Sequence, residues 1–115
     1  MSAKISVRHV GDVTIMDVSG RITMGEGSVG LRDAVQKELA AGNKKIILNL
    51  ADVSYMDSSG LGELTSAYTS AKNQAAEVKL LNLTKKIHDL LQITKLATIF
   101  SVSDNEKGAV ASFKS

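Results

Sequence analysis

The chain of 115 residues has no cysteine, no proline and no tryptophan, and aromatics make up 3% of it. Without cysteine there can be no disulfide, no thiolate metal site and no cysteine nucleophile. With so few aromatics, the core must be built from Ile, Leu, Val, Ala and Met. Charge of one sign is also missing: 14 basic residues face 12 acidic ones, for a net +2, too even a balance for electrostatic capture of nucleic acid. The lysine pairs Lys44-Lys45 and Lys85-Lys86 have no interleaved aromatics, so they offer no base-stacking platform and read as solvated faces. No apolar run reaches the roughly 20 residues of a membrane span. Met1-Ser2-Ala3-Lys4 leads straight into alternating residues without the apolar stretch of a signal peptide. The expectation is a cytoplasmic protein with neither a nucleic acid nor a membrane as partner. A chain of this length buries roughly two-thirds of the surface its unfolded form exposes, enough for one domain over residues 1–115.

What is present is patterned. Ile5 and Val7 alternate with polar neighbours, Gly11-Asp12 suits a tight turn, and residues 13–18 read as the return strand of a hairpin. Arg21-Ile22-Thr23 reads as a short third strand. Gly25, Gly27 and Gly30 mark a loop, after which Leu31, Ala34, Val35 and Leu39 recur at helical spacing up to Gly42-Asn43. The run Ile46-Ile47-Leu48-Asn49-Leu50 reads as a buried central strand. A second helix carries Leu61, Leu64, Ala67, Tyr68 and Ala71. Val78-Lys79-Leu80-Leu81 is a further strand, and Thr84 can cap a third helix bearing Ile87, Leu90 and Leu91. Ile99-Phe100-Ser101-Val102 reads as a last strand. Ser103-Asp104-Asn105-Glu106 has a capping-box pattern ahead of a final helix with Ala109, Val110 and Phe113. Strands alternating with helices after a hairpin predict an α/β fold with a mixed, mostly parallel sheet and about four helices packed mainly on one face.

Two places stand out. Gly25-x-Gly27-x-x-Gly30 matches the dinucleotide fingerprint, and Asp52 lies near the expected distance beyond it. Against that reading, a hairpin precedes the motif, and Glu26 would repel a pyrophosphate. The other place is Met56-Asp57-Ser58-Ser59-Gly60-Leu61-Gly62. Two glycines in the first turn of a helix cost about 1 kcal/mol each against alanine, and such local violations mark functional positions. One of the serines can cap the helix, and a helix N-terminus also suits an added phosphate.

Around this motif the chain resembles the STAS domain of bacterial anti-sigma factor antagonists. Asn49-Leu50, the Asp57-Ser58-Ser59-Gly60-Leu61-Gly62 string, the opening hairpin, and Leu90-Leu91 followed by Ile93-Thr94 carry the resemblance. It implies that Ser58 is phosphorylated, and that Asp57, Ser59, Gly60, Leu61, Gly62 and Thr23 contact or support a partner. That partner is an anti-sigma factor that is also a serine kinase, with a serine phosphatase resetting the switch. The chain departs from its relatives at Arg21, near which many carry an acidic residue, and at Lys95, where many carry glycine. The resemblance implies no cofactor, no metal, and a monomer or weak homodimer.

The alternatives are a STAS scaffold or regulator in a non-sigma stress circuit, nucleotide binding through the segment from Gly25 to Gly30, and an enzyme with Ser58 as nucleophile. The last would need a base, for which His9 and His88 alone are available. Asp52, Asp57 and Glu63 are spaced without a matching histidine set and read as turn and helix-end charges.

Overall fold

The computed structural model describes residues 3–113. Strands β1 (Lys4–Val10) and β2 (Val13–Ile22) pair antiparallel around Gly11-Asp12, where Gly11 takes a φ of 62°. Next come α1 (Glu26–Ala40), β3 (Lys45–Met56), α2 (Ser58–Asn73), β4 (Glu77–Leu81) and α3 (Lys85–Ile93). A 3-10 turn (Leu96–Thr98), β5 (Val102–Ser103) and α4 (Glu106–Ala111) complete the order. The sheet runs β1-β2-β3-β4-β5, and every pair after the hairpin is parallel.

This order decides which face is covered. Each crossover advances the sheet in the same direction, and crossovers are right-handed, so α1, α2 and α3 fall on one face. Met16, Val18, Ile46 and Leu48 point there, against Leu31, Leu64, Ile87 and Leu91. The alternate side chains Val13, Ile15, Ile47 and Leu81 point to the other face, where Ala109 and Phe113 of the last segment cover them. Two polar contacts hold that segment down. Lys79 is buried, and its Nζ donates to the Ser112 carbonyl at 2.9 Å and lies 4.6 Å from the centre of the Phe113 ring. Arg8 bridges Asp17 and Glu106, at 2.6 Å to each.

Several local expectations hold. Thr84 Oγ1 accepts the Ile87 N–H at 3.2 Å and caps α3. At the end of α1, the Gly42 N–H donates to the Leu39 carbonyl and the Asn43 N–H to that of Glu38, a Schellman closure with Gly42 at φ 90°. Lys95 takes a φ of 64°, a left-handed conformation that glycine adopts freely and other residues rarely.

Others are corrected. Arg21 and Ile22 continue β2 instead of forming a separate strand. The segment with Gly27 and Gly30 is the first turns of α1, not a loop. A Cβ at Gly27 would lie 2.7 Å from the Arg21 carbonyl oxygen, so this helix start packs directly on the strand, and tertiary contact overrides the poor helix propensity of glycine. The last strand is Val102–Ser103, because a 3-10 turn carries the chain to Ile99 first. The capping box does not form. Asn105 Oδ1 caps α4 by accepting the Gly108 N–H at 2.6 Å, and Glu106 goes to Arg8 instead.

One buried group is unpaired. Thr14 is fully buried, and its Oγ1 has no hydrogen-bond partner among the described residues. Thr14→Val keeps the shape and removes the stranded hydroxyl. It should stabilise the fold by about 1 kcal/mol, seen as a higher urea midpoint at unchanged slope.

Candidate functional site

The motif sits where β2 and β3 end. The Asp57 N–H donates to the Ile22 carbonyl at 3.2 Å, so the strand pairing runs up to the first residue of the Asp-Ser-Ser-Gly string. The Asp57 backbone is extended and its carboxylate does two jobs. Oδ1 accepts the Gly60 N–H at 3.1 Å and caps α2, while Oδ2 accepts the Met24 N–H at 3.0 Å. One side chain thereby closes a helix and ties down the connection from β2 to α1. The cap is thus Asp57 and not one of the serines. Asp and Ser cap equally well by local preference, and the extended backbone at Asp57, paired to Ile22, sets the helix start one residue earlier.

The consequence for the serines is direct. Ser58 is exposed and Ser59 half-buried, and neither hydroxyl is hydrogen-bonded among the described residues. Asp57 already takes the Gly60 N–H at the mouth of α2, so that mouth is not vacant. A phosphate on Ser58 would stand beside a carboxylate on the surface.

The N–H groups of Met24 and then Gly60 hold the Asp57 carboxyl below the usual carboxylate range. A carboxylate with a lowered folded-state pKa adds stability at pH values above its unfolded value, about 3.9, and loses it as the pH falls through the lowered value. An NMR titration should therefore place the Asp57 carboxyl midpoint below that of an ordinary aspartate. The Met24 amide resonance should move with the same midpoint.

The two glycines differ. A Cβ on Gly60 would lie 2.5 Å from Met56 Cγ and 2.6 Å from the Ile22 carbonyl oxygen, whereas one on Gly62 would meet nothing within 4 Å. Gly60 lets α2 approach the strands, and Gly62 leaves the outer surface bare. Leu61 packs against the main core. Thr23 is half-buried, and its carbonyl accepts the Ser28 N–H at 3.0 Å. The sequence reading passed over Met24, which is 78% exposed beside Asp57. Its signal was an apolar residue outside any periodic stripe. Val29, 41% exposed, is a further apolar residue in the opening turns of α1.

The remaining candidates lie apart from this arrangement. β2 is buried and parallel to β3, so the objection that a hairpin precedes the glycine fingerprint lapses. A geometric one replaces it: Gly27 is packed against the protein's own strand. His9 Nε2 is 3.9 Å from Glu38, His88 Nδ1 is 3.7 Å from Asp89, and Glu63 pairs with Arg32 at 3.1 Å. Asp52 lies on β3 opposite Ser19. No helix among the described residues is long and apolar enough to cross a membrane.

Comparison with known proteins agrees with this architecture. The anti-sigma-B factor antagonist of Bacillus subtilis is 31% identical over 96% of this chain and 99% of its own length. The crystal structure of a candidate anti-sigma factor antagonist from Thermotoga maritima superimposes with a TM-score of 0.87 at 26% identity, over 94% of this chain and 92% of that one. The Bacillus cell fate determinant SpoIIAA, solved in its phosphorylated form, has the same fold, with a TM-score of 0.75 at 19% identity over 96% and 100% of the two chains. The family described as the STAS domain matches residues 4–109, and with the hairpin, the parallel strands and the Asp57 cap in place, the chain belongs to that family.

Proposed function

We propose that this STAS domain is an anti-sigma factor antagonist. In its unmodified form it binds a kinase-type anti-sigma factor and thereby frees a sigma factor, and phosphorylation of Ser58 switches that binding off. The observation that carries this reading is an exposed serine in the first turn of α2, left free because its neighbour Asp57 does the capping. A similar protein bears the name of an anti-sigma factor antagonist, and another of the same fold has been solved phosphorylated.

Each residue has a part in this scheme. Ser58 receives the phosphate. Asp57 shapes the turn, Gly60 seats it, and Ser59, Leu61, Gly62, Thr23 and Met24 make up the face the partner covers. The phosphate brings about −1.5 to −2 charges at neutral pH. Next to the Asp57 carboxylate and against a covering protein, that charge is repulsive and hard to desolvate. ATP is the kinase's ligand, and a serine phosphatase restores the free hydroxyl. Neither histidine hydrogen-bonds Ser58 among the described residues, which disfavours a nucleophilic serine.

The test is phosphopeptide mapping of the protein isolated from its native cells, across residues 51–72. The expected result is phosphate on Ser58 in a fraction of the molecules. No phosphate there under any growth condition overturns the switch.

A further inference from the structure

Beside the Ser58 edge, two cations and a ring gather that the switch itself leaves unused. Between Gly20 and Arg21 the register with β3 shifts, so that β3 advances from Val53 to Tyr55 while β2 advances by one residue. A bulge of this kind re-aims a side chain, and it sets Tyr55 opposite Arg21. Tyr55 is 40% exposed. The Arg21 guanidinium carbon lies 5.5 Å from the centre of its ring, and the Nζ of Lys86, from the start of α3, lies 5.8 Å from the same centre. The two cations are therefore within about 11 Å of each other.

Neither cation is paired with a carboxylate among the described residues. Lys86 is the more telling of the two. It is the second residue of α3, whose first turn holds no acidic residue, and a cation at a helix N-terminus opposes the helix dipole. The adjacent Lys85 is offset by Asp89 at 3.1 Å. In the other lysine pair, Lys44 donates to the Gln74 carbonyl and Lys45 to Asp12. Lys86 has the Tyr55 ring. An aromatic face fixes a cation in place without neutralising it, so this cluster keeps its positive potential.

We propose that Arg21, Tyr55 and Lys86 form a docking patch for an acidic face of the protein that binds at Ser58. The patch is continuous with that edge: Arg21 precedes Ile22, whose carbonyl holds the Asp57 N–H, and Tyr55 precedes Met56 and Asp57. Carboxylates on the partner meet two cations already held in position, and the exposed ring adds contact area between them. Complementary charge of this kind sets partner choice and association rate more than it sets final affinity. The inference rests on reading the Ser58 edge as a protein-binding surface. A single-stranded nucleic acid is the other polyanion that cations and a ring could hold, and the continuity with the Ser58 edge favours the protein.

The test needs no partner in hand. The full chain, labelled with nitrogen-15, is titrated at low ionic strength with oligoglutamate, oligolysine and oligothymidylate. Oligoglutamate should shift amides at and around Arg21, Tyr55 and Lys86. Oligolysine should not, and R21Q/K86Q should lose the response while its spectrum elsewhere stays that of the parent. No shift at these residues, an equal response at Lys44, Lys45 and Lys72, or tighter binding of oligothymidylate than of oligoglutamate overturns the patch. An unphosphorylated Ser58 would instead overturn the switch and leave this titration as it stands, so the two failures are separable.

Discussion

Gly60→Ala should destabilise the domain by about 2 kcal/mol, the balance of an overpacked contact against the helix propensity that alanine gains. The new methyl would meet Met56 Cγ and the Ile22 carbonyl oxygen. Met56 is 1% exposed and has little room to turn. The Ile22 oxygen is backbone and already accepts the Asp57 N–H. To admit the methyl, the first turn of α2 must lift from the strands, which stretches that hydrogen bond and loosens the cap. Gly62→Ala is the control. With nothing within 4 Å of its Cβ, it should stabilise the chain by about 0.5–1 kcal/mol. Urea unfolding of both variants beside the parent gives the two signs. If Gly60→Ala proved as stable as the parent, α2 would not approach β2 as closely as described.

Ser58→Asp should weaken binding to the proposed anti-sigma factor kinase about tenfold or more, or about 1.4 kcal/mol, while Ser58→Ala should bind like the parent and not be switched. The reason lies next door. Asp57 already takes the Gly60 N–H at the helix mouth and the Met24 N–H, so a second carboxylate stands beside an existing one and faces the partner. Aspartate carries less charge than a phosphate, so the effect of phosphorylation itself should be larger. Part of the loss is exposed-charge repulsion, and added salt should reduce it. Titration calorimetry at two salt concentrations measures both features. Equal affinities for Ser58→Ala and Ser58→Asp would remove the basis of the switch.

How far the chain could be read without coordinates depended on whether local physics or tertiary contact made the decision. The hairpin, the apolar strand from Ile46 to Leu50, the stripe on α2 and the Thr84 cap are local features, set by alternation, helical spacing and capping chemistry. The helical start at Gly27 was hidden because its cause is the nearby strand, more distant than any window of neighbours. Glu106 has the right spacing for a capping box but finds Arg8, 98 residues away in the chain. At the site, the motif was legible as a whole while its division of labour was not. Asp57, Ser58 and Ser59 are all competent caps, and only pairing with Ile22 selects the first. Met24 and Tyr55 escaped notice for a related reason: each owes its position to a connection or a bulge, and neither leaves a periodic trace.

The segment across the far face of the sheet has a consequence for how this protein fails. One helix, Glu106–Ala111, and the Phe113 that follows it cover Val13, Ile15, Ile47 and Leu81, held by Lys79 and Arg8. The main core packs as a separate cluster on the opposite side of the sheet. Proteolytic clipping just before Asn105 would bare an aliphatic strip on the sheet, and exposed apolar patches of this kind promote aggregation. Self-association of trimmed molecules is therefore the expected consequence of losing this segment.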